Sequence, residues 1–180
     1  MKGTTNIINS DDENIKTPFD KIDKWIGIKL DDNYSSLDLA NARFKASYQM
    51  LYTLLGLSFI LSAGLMYLTK GSNDIAISLM LGSVLYGLFT FIFHLNKDAL
   101  MLGFLTLTII GDKLFTIFIT HRIGGMSIVI LGVLLMIVIT TFKANKGMDI
   151  DVNENRSLKL ISRIIFVLVV MLGIYGLYIV

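Results

Sequence analysis

Two adjacent residues of opposite charge, Asp112 and Lys113, lie in the middle of a long apolar segment and are the strongest candidates for chemistry. Successive residues on an α-helix point about 100° apart, so the two side chains do not face each other as a closed ion pair. We therefore predict that each of these buried charges has a partner on another helix or along a polar pathway. Such a pair is typical of a proton or ion relay, or of an ionic contact between subunits.

A structural role explains the same pair. Lys113 would extend its stem toward the membrane surface and Asp112 would be protonated or hydrogen-bonded, so that the site only holds the helices together. Hydroxyl side chains on other apolar segments are candidate partners, because they can form hydrogen bonds in a dry interior. They are Ser58, Ser62, Tyr86, Thr90 and Tyr175. Ordinary helix packing accounts for these hydroxyls equally well.

The remaining motifs predict no metal site, no cofactor and no enzyme. His94 and His121 lie at opposite faces of the predicted membrane domain, too far apart to share a metal ion. Residues 149–155 alternate in the manner of a calcium-binding EF-hand loop, but Glu154 and Leu160 replace its glycine and its bidentate glutamate. The sequence also contains no nucleophile motif and no phosphate-binding glycine loop.

The composition indicates the environment in which these residues lie. Hydrophobic residues make up 54% of the 180 and charged residues only 17%, and the polar residues are gathered in a few blocks. A soluble domain of this size needs polar residues spread along the chain to cover its core. The sequence therefore predicts an integral membrane protein. The net charge of +2, with cations beside the apolar segments, gives no indication of nucleic-acid binding.

Five apolar segments are long enough to cross the hydrocarbon core, which requires about 20 residues. They are 48–69, 75–95, 99–120, 126–142 and 160–180. The predicted fold class is an all-α membrane protein, in which residues 35–180 form a compact bundle of five helices joined mostly by short connections. Gly111, Asp112 and Lys113 interrupt the third segment, which could instead form two half-helices or a re-entrant segment.

The distribution of lysine and arginine predicts the orientation of the helices. Twelve of these residues lie in the N-terminal tail and in the second and fourth connections, whereas the opposite side has only Lys70 and Arg122. Cytoplasmic segments of membrane proteins carry the excess of cations. We therefore predict a cytoplasmic N-terminus and a C-terminus at the opposite face of an inner or plasma membrane. Arg163, one turn inside the fifth segment, is expected to extend back to the lipid headgroups.

The N-terminal region has a pattern of its own. Residues 1–16 are predicted to be a disordered cytoplasmic tail, and residues 17–31 an amphipathic helix with Thr17 as its N-cap. This helix is expected to lie on the inner leaflet or to dock on a protein surface through one apolar face. That face consists of Phe19, Ile22, Trp25, Ile26 and Leu30. A further helix should begin at Ser35 or Ser36 and enter the first span without a kink, as a cytoplasmic stalk.

These features predict a non-enzymatic, polytopic membrane subunit. It would form a homo-oligomer or dock on another membrane protein, as an assembly, sensor or accessory factor. One alternative is a small ion- or proton-coupled transporter or channel that uses Asp112 and Lys113 in its pathway. A further alternative is an immunity-type protein that binds an intruding polypeptide within the bilayer.

Overall fold

A computed structural model describes residues 35–70, 74–120, 125–148 and 156–179, and these ranges contain five α-helices and no strand. The helices are α1 (Ser36–Leu68), α2 (Asp74–Leu95), α3 (Ala99–Thr120), α4 (Gly125–Met148) and α5 (Arg156–Ile179). Four of them, α1 to α4, are long and apolar enough to cross a membrane. The all-α class and the multi-pass membrane character are thus confirmed. A fifth crossing stays a prediction, and the proposed amphipathic helix at 17–31 lies outside the described residues.

Helix α1 begins where the sequence predicts and runs without a break. The Ser35 side chain caps it, because its Oγ accepts a hydrogen bond from the Asp38 backbone N–H at 3.1 Å and donates one to Asp38 Oδ2 at 2.6 Å. The 33 residues of α1 correspond to about 50 Å at about 1.5 Å per residue. The hydrocarbon core of a membrane is about 30 Å thick, so α1 is several turns longer than one crossing requires.

Helix α3 also runs without a break, from Ala99 to Thr120. The alternative of two half-helices is therefore wrong. Gly111 and Asp112 are poor helix formers, but they are flanked by long apolar stretches. In a low-dielectric environment a continuous helix is strongly favoured, because it satisfies the backbone hydrogen bonds within the segment. The Thr116 hydroxyl donates a hydrogen bond to the Asp112 backbone carbonyl at 2.9 Å, within the same helix.

Helices α1 to α4 pack together as a four-helix core. The most extensive contacts join α1 to α4, α3 to α4 and α1 to α2, and a smaller contact between α2 and α3 closes the group. Helix α5 lies at the periphery and contacts α2. We call the end of the core that holds Ser36 the proximal end and the other the distal end. Helices α2 and α4 finish at the proximal end, and α3 begins there.

The four-helix core is tightly packed mainly in its proximal half. All the buried residues of α3 lie between Ala99 and Ile110, and none of its described side chains from 111 to 118 is buried. In α4 the buried side chains begin only at Leu134 and continue to Ala144. The distal half contributes few buried side chains, such as Ser62 and Ala76. The distal parts of α3 and α4 therefore have little protein against them.

The space beside the glycines shows the same difference in packing between the two halves. A Cβ atom placed on Gly147, near the proximal end, would lie 2.6 Å from Ala40 Cβ and 3.2 Å from the Ser36 carbonyl oxygen. A Cβ atom placed on Gly64 or Gly111, in the distal half, would meet no atom within 4 Å. The absence of a side chain is therefore required at Gly147, where α4 crosses the start of α1.

We predict that Gly147→Ala lowers the unfolding temperature of the detergent-solubilised protein, because the added methyl group overpacks the α1–α4 contact by about 1–3 kcal/mol. The matched control is Gly64→Ala, which adds the same methyl group to open space. It should leave stability unchanged or raise it by up to about 1 kcal/mol through helix propensity. Equal effects of the two substitutions would contradict the proximal packing described here.

Candidate functional site

A three-residue corner, residues 96–98, joins α2 to α3 at the proximal end. The Asp98 backbone N–H donates to the Phe93 carbonyl at 2.8 Å, which closes the end of α2. The Asp98 side chain then caps α3, since its Oδ1 accepts a hydrogen bond from the Met101 N–H at 3.2 Å. Lys97 occupies the left-handed region with φ of 47°, as is common for the residue that ends a helix. The corner thus holds α2 and α3 antiparallel.

Asp98 also binds Arg163 of α5 through two parallel contacts. Arg163 Nε lies 2.8 Å from Oδ2, and Nη2 lies 3.1 Å from Oδ1. The Asp98 side chain is only 2% exposed, whereas that of Arg163 is 41% exposed. A bidentate guanidinium–carboxylate pair of this kind fixes the relative orientation of its two partners. One turn of α5 is therefore tied to the α2–α3 corner.

Further contacts strengthen this attachment of α5. Asn96 Nδ2 donates to Ser162 Oγ at 3.3 Å, and Ser162 Oγ donates to the Lys159 carbonyl at 2.9 Å. Phe166, one turn further along α5, is buried edge-on against Phe89 and Phe93, with ring centroids 5.2 and 5.5 Å away. Aromatic pairs in this arrangement contribute about 0.5–1.5 kcal/mol beyond their buried area. We call Asp98, Arg163, Asn96, Ser162 and Phe166 the α5 clamp.

The sequence pattern does not predict the α5 clamp. The Arg163 guanidinium, expected to extend toward the lipid headgroups, binds Asp98 at the α2–α3 corner. An aspartate directly after a predicted helix end, with an unmatched arginine one turn inside another apolar segment, is a signal that could have suggested the pair.

Asp112 and Lys113 lie in the distal half of α3, beyond the packed part of the core. Asp112 is exposed and Lys113 is half-buried. Neither side chain has a hydrogen bond or an ion pair with any other residue that the structure describes. The Asp112 carboxylate is close enough to the Tyr86 phenol for a Coulombic interaction. In the part of the chain that the structure describes, the two charges therefore have no partner on another helix.

Two of the other proposed partners, Ser62 and Thr90, donate to the backbone of their own helices, and a third, Ser58, bonds to a hydroxyl on α2. Ser62 Oγ donates to the Ser58 carbonyl at 2.7 Å, and Thr90 Oγ1 donates to the Tyr86 carbonyl at 2.8 Å. Ser58 Oγ lies 3.1 Å from Ser83 Oγ, which joins α1 to α2. These hydroxyls satisfy one another or their own helices, as buried polar groups in a dry interior must. The Tyr175 side chain and the 17–31 segment lie outside the described residues.

His94 takes part in an aromatic stack at the proximal end. Its ring lies 3.8 Å from that of Tyr48, with an angle of 27° between the planes, and 6.4 Å from that of Phe44. These residues border an open cleft of about 270 Å³, which Asn41 and Lys97 also line. Within the part of the chain that the structure describes, no group of three His, Cys, Asp or Glu side chains could hold a metal ion.

Comparisons of the chain with protein-family models, with curated proteins and with solved structures gave no match.

We predict that Arg163→Met loosens α5 from the four-helix core, because it leaves the Asp98 carboxylate buried without its cation, at a cost of about 1–3 kcal/mol. The chain has no cysteine, so a variant with both Asn96→Cys and Ser162→Cys can form only one intramolecular disulfide. The yield of this disulfide measures how often α5 lies against the α2–α3 corner. The yield in membranes should be high in the parent chain and low with Arg163→Met. The control, Arg156→Met, removes an exposed cation from the start of the same helix and should leave the yield unchanged. An equal yield in all three would mean that the ion pair does not hold α5.

Proposed function

We propose that this protein is a non-enzymatic, multi-pass membrane subunit that assembles with another membrane-embedded chain through the distal half of α3. The observation that carries the proposal is the exposed position of Asp112, near the middle of a helix long and apolar enough to cross a membrane. Around it lie exposed apolar side chains on the same half of the helix. We call the group Asp112, Lys113, Leu114, Phe115 and Phe118 the α3 distal surface.

The exposure of Asp112 is unfavourable if α3 crosses a membrane. A charged side chain near a helix centre raises the free energy of insertion by about 2.5–3.5 kcal/mol, because hydrocarbon offers it no hydrogen bond. An exposed carboxylate on an isolated chain would face lipid with that full penalty. A partner that covers the α3 distal surface would supply donors to Asp112 and an acceptor to Lys113. Assembly thus explains why both charges lie where the described part of the chain places little protein against them.

The transporter or channel alternative places different demands on the same residues. A carboxylate that relays ions or protons has to line a water-filled path between packed helices. Asp112 is exposed instead, and the packed part of α3 ends at Ile110, before the charges begin. The lack of packed helices around Asp112 among the described residues favours a contact with a partner over a conducting role.

We further propose that the proximal end is cytoplasmic and that α5 is the fifth crossing. The proposal is supported by the excess of Lys and Arg in segments at the proximal end. In α5 the cations are confined to the first third of the helix, where they would lie at the inner membrane surface, and the residues after Arg163 are apolar. The α5 clamp would then hold this helix at the cytoplasmic ends of α2 and α3.

We predict that a reporter fused after Val180 is active only on the side opposite to the cytoplasm, because α5 carries the chain across once more. A second fusion, placed after Met148, should be active only in the cytoplasm and serves as the internal reference. Cytoplasmic activity of both fusions would mean that α5 stays on the inner side and that the protein has four crossings.

We predict that a photo-crosslinking amino acid at Phe118, 74% exposed on the α3 distal surface, forms adducts with protein in native membranes. The same amino acid at Phe91, an exposed aromatic position on α2 in the proximal half, should react mainly with lipid. Asp112→Asn combined with Lys113→Met should abolish the Phe118 adducts while membrane insertion stays intact or improves, because both insertion penalties are removed. Protein adducts that persist in the double variant, or that form equally at Phe91, would contradict the proposal.

A further inference from the structure

We infer that the partner at the α3 distal surface is a second copy of this chain, in which Asp112 of each copy pairs with Lys113 of its neighbour. This inference rests on the proposed function and names the partner that it leaves open. The self-complementary charge of the surface is the observation behind it, because one carboxylate and one ammonium group are presented together.

The two charges are suited to pairing between copies and unsuited to pairing within one. On their own helix they are successive residues that point about 100° apart, and no other described residue pairs with either of them. Two copies inserted in the same orientation place their α3 helices at the same depth. Asp112 of one then differs in height from Lys113 of the other by about 1.5 Å, the rise of one residue. The four-carbon stem of lysine readily spans such an offset.

Pairing between identical chains neutralises all the charges at once. Each copy contributes one acid and one base, so a symmetric contact forms two equivalent ion pairs and leaves no charge facing lipid. A chemically different partner would need a matching base and acid at the same depth. Phe115, which is exposed and lies three residues from Asp112 on a neighbouring part of the helix surface, would pack beside the ion pairs.

Charge-reversal complementation tests the inference. Asp112→Lys gives a chain with two bases at these positions, and Lys113→Asp gives a chain with two acids. Copies with different affinity tags are co-expressed and then co-purified in nanodiscs. We expect wild-type copies to associate, and each single reversal to weaken its self-association by at least about tenfold through repulsion between like charges. Co-expression of the two reversed chains should restore association, because every acid again meets a base.

The matched control carries both substitutions in one chain and so exchanges the two charges. It has the same composition as the wild-type protein and should self-associate as the wild type does. Since a reversed chain could fail to insert, Asp112→Asn and Lys113→Met are tested in parallel, and each should also weaken self-association. Thr116→Cys provides an independent readout in membranes. Thr116 is exposed and lies between Asp112 and Lys113 around the helix, so the cysteine should give a disulfide-linked pair of copies.

Absence of the Thr116→Cys dimer, together with tagged wild-type copies that do not co-purify, would overturn the inference. The proposed function would survive that result if Phe118 adducts to another protein were still lost in the neutral double variant. Self-association that is unchanged by every charge substitution would also overturn the inference, because the ion pairs would then play no part in it.

Discussion

Hydrocarbon cannot form hydrogen bonds, and the polar groups of this protein are arranged around that constraint. Buried hydroxyls such as those of Ser62, Thr90 and Thr141 donate to carbonyl oxygens of their own helices. Asp98 is almost fully buried, yet it accepts hydrogen bonds from the start of α3 and from the Arg163 guanidinium. Asp112 and Lys113 differ from all of these groups, because the described part of the chain offers neither side chain a partner.

The proximal half has close packing and polar contacts between helices, whereas the distal half has few of either. In the proximal half, Gly147 allows α4 to touch the start of α1, and the α5 clamp ties α5 to the α2–α3 corner. In the distal half the helices have few buried side chains, and Gly64 and Gly111 have open space beside them. The packed proximal half would hold the distal halves in position for the proposed partner, because a preorganised surface loses less entropy on association.

The sequence was sufficient to predict features that depend on local residues. Long apolar segments predicted the helices, and Ser35 with Asp38 predicted the start of α1, because capping involves residues three apart. The sequence could not place Asp98 beside Arg163, since the two are 65 residues apart and no periodicity connects them. Nor could it show that Asp112 is exposed. Helices in a membrane are apolar all round, so hydrophobic periodicity does not reveal which face packs against protein.

Covering of the α3 distal surface by protein is the central claim, and the accessibility of a spin label to lipid tests it most directly. Phe115 on this surface is 45% exposed and Phe91 on α2 is 51% exposed, so labels attached at these positions are comparable in the isolated chain. In membranes that contain the assembled protein, the label at position 115 should be shielded from oxygen dissolved in the lipid, whereas the label at position 91 should collide with it freely. Equal and high collision rates at both positions would show that lipid covers the surface and would contradict the account.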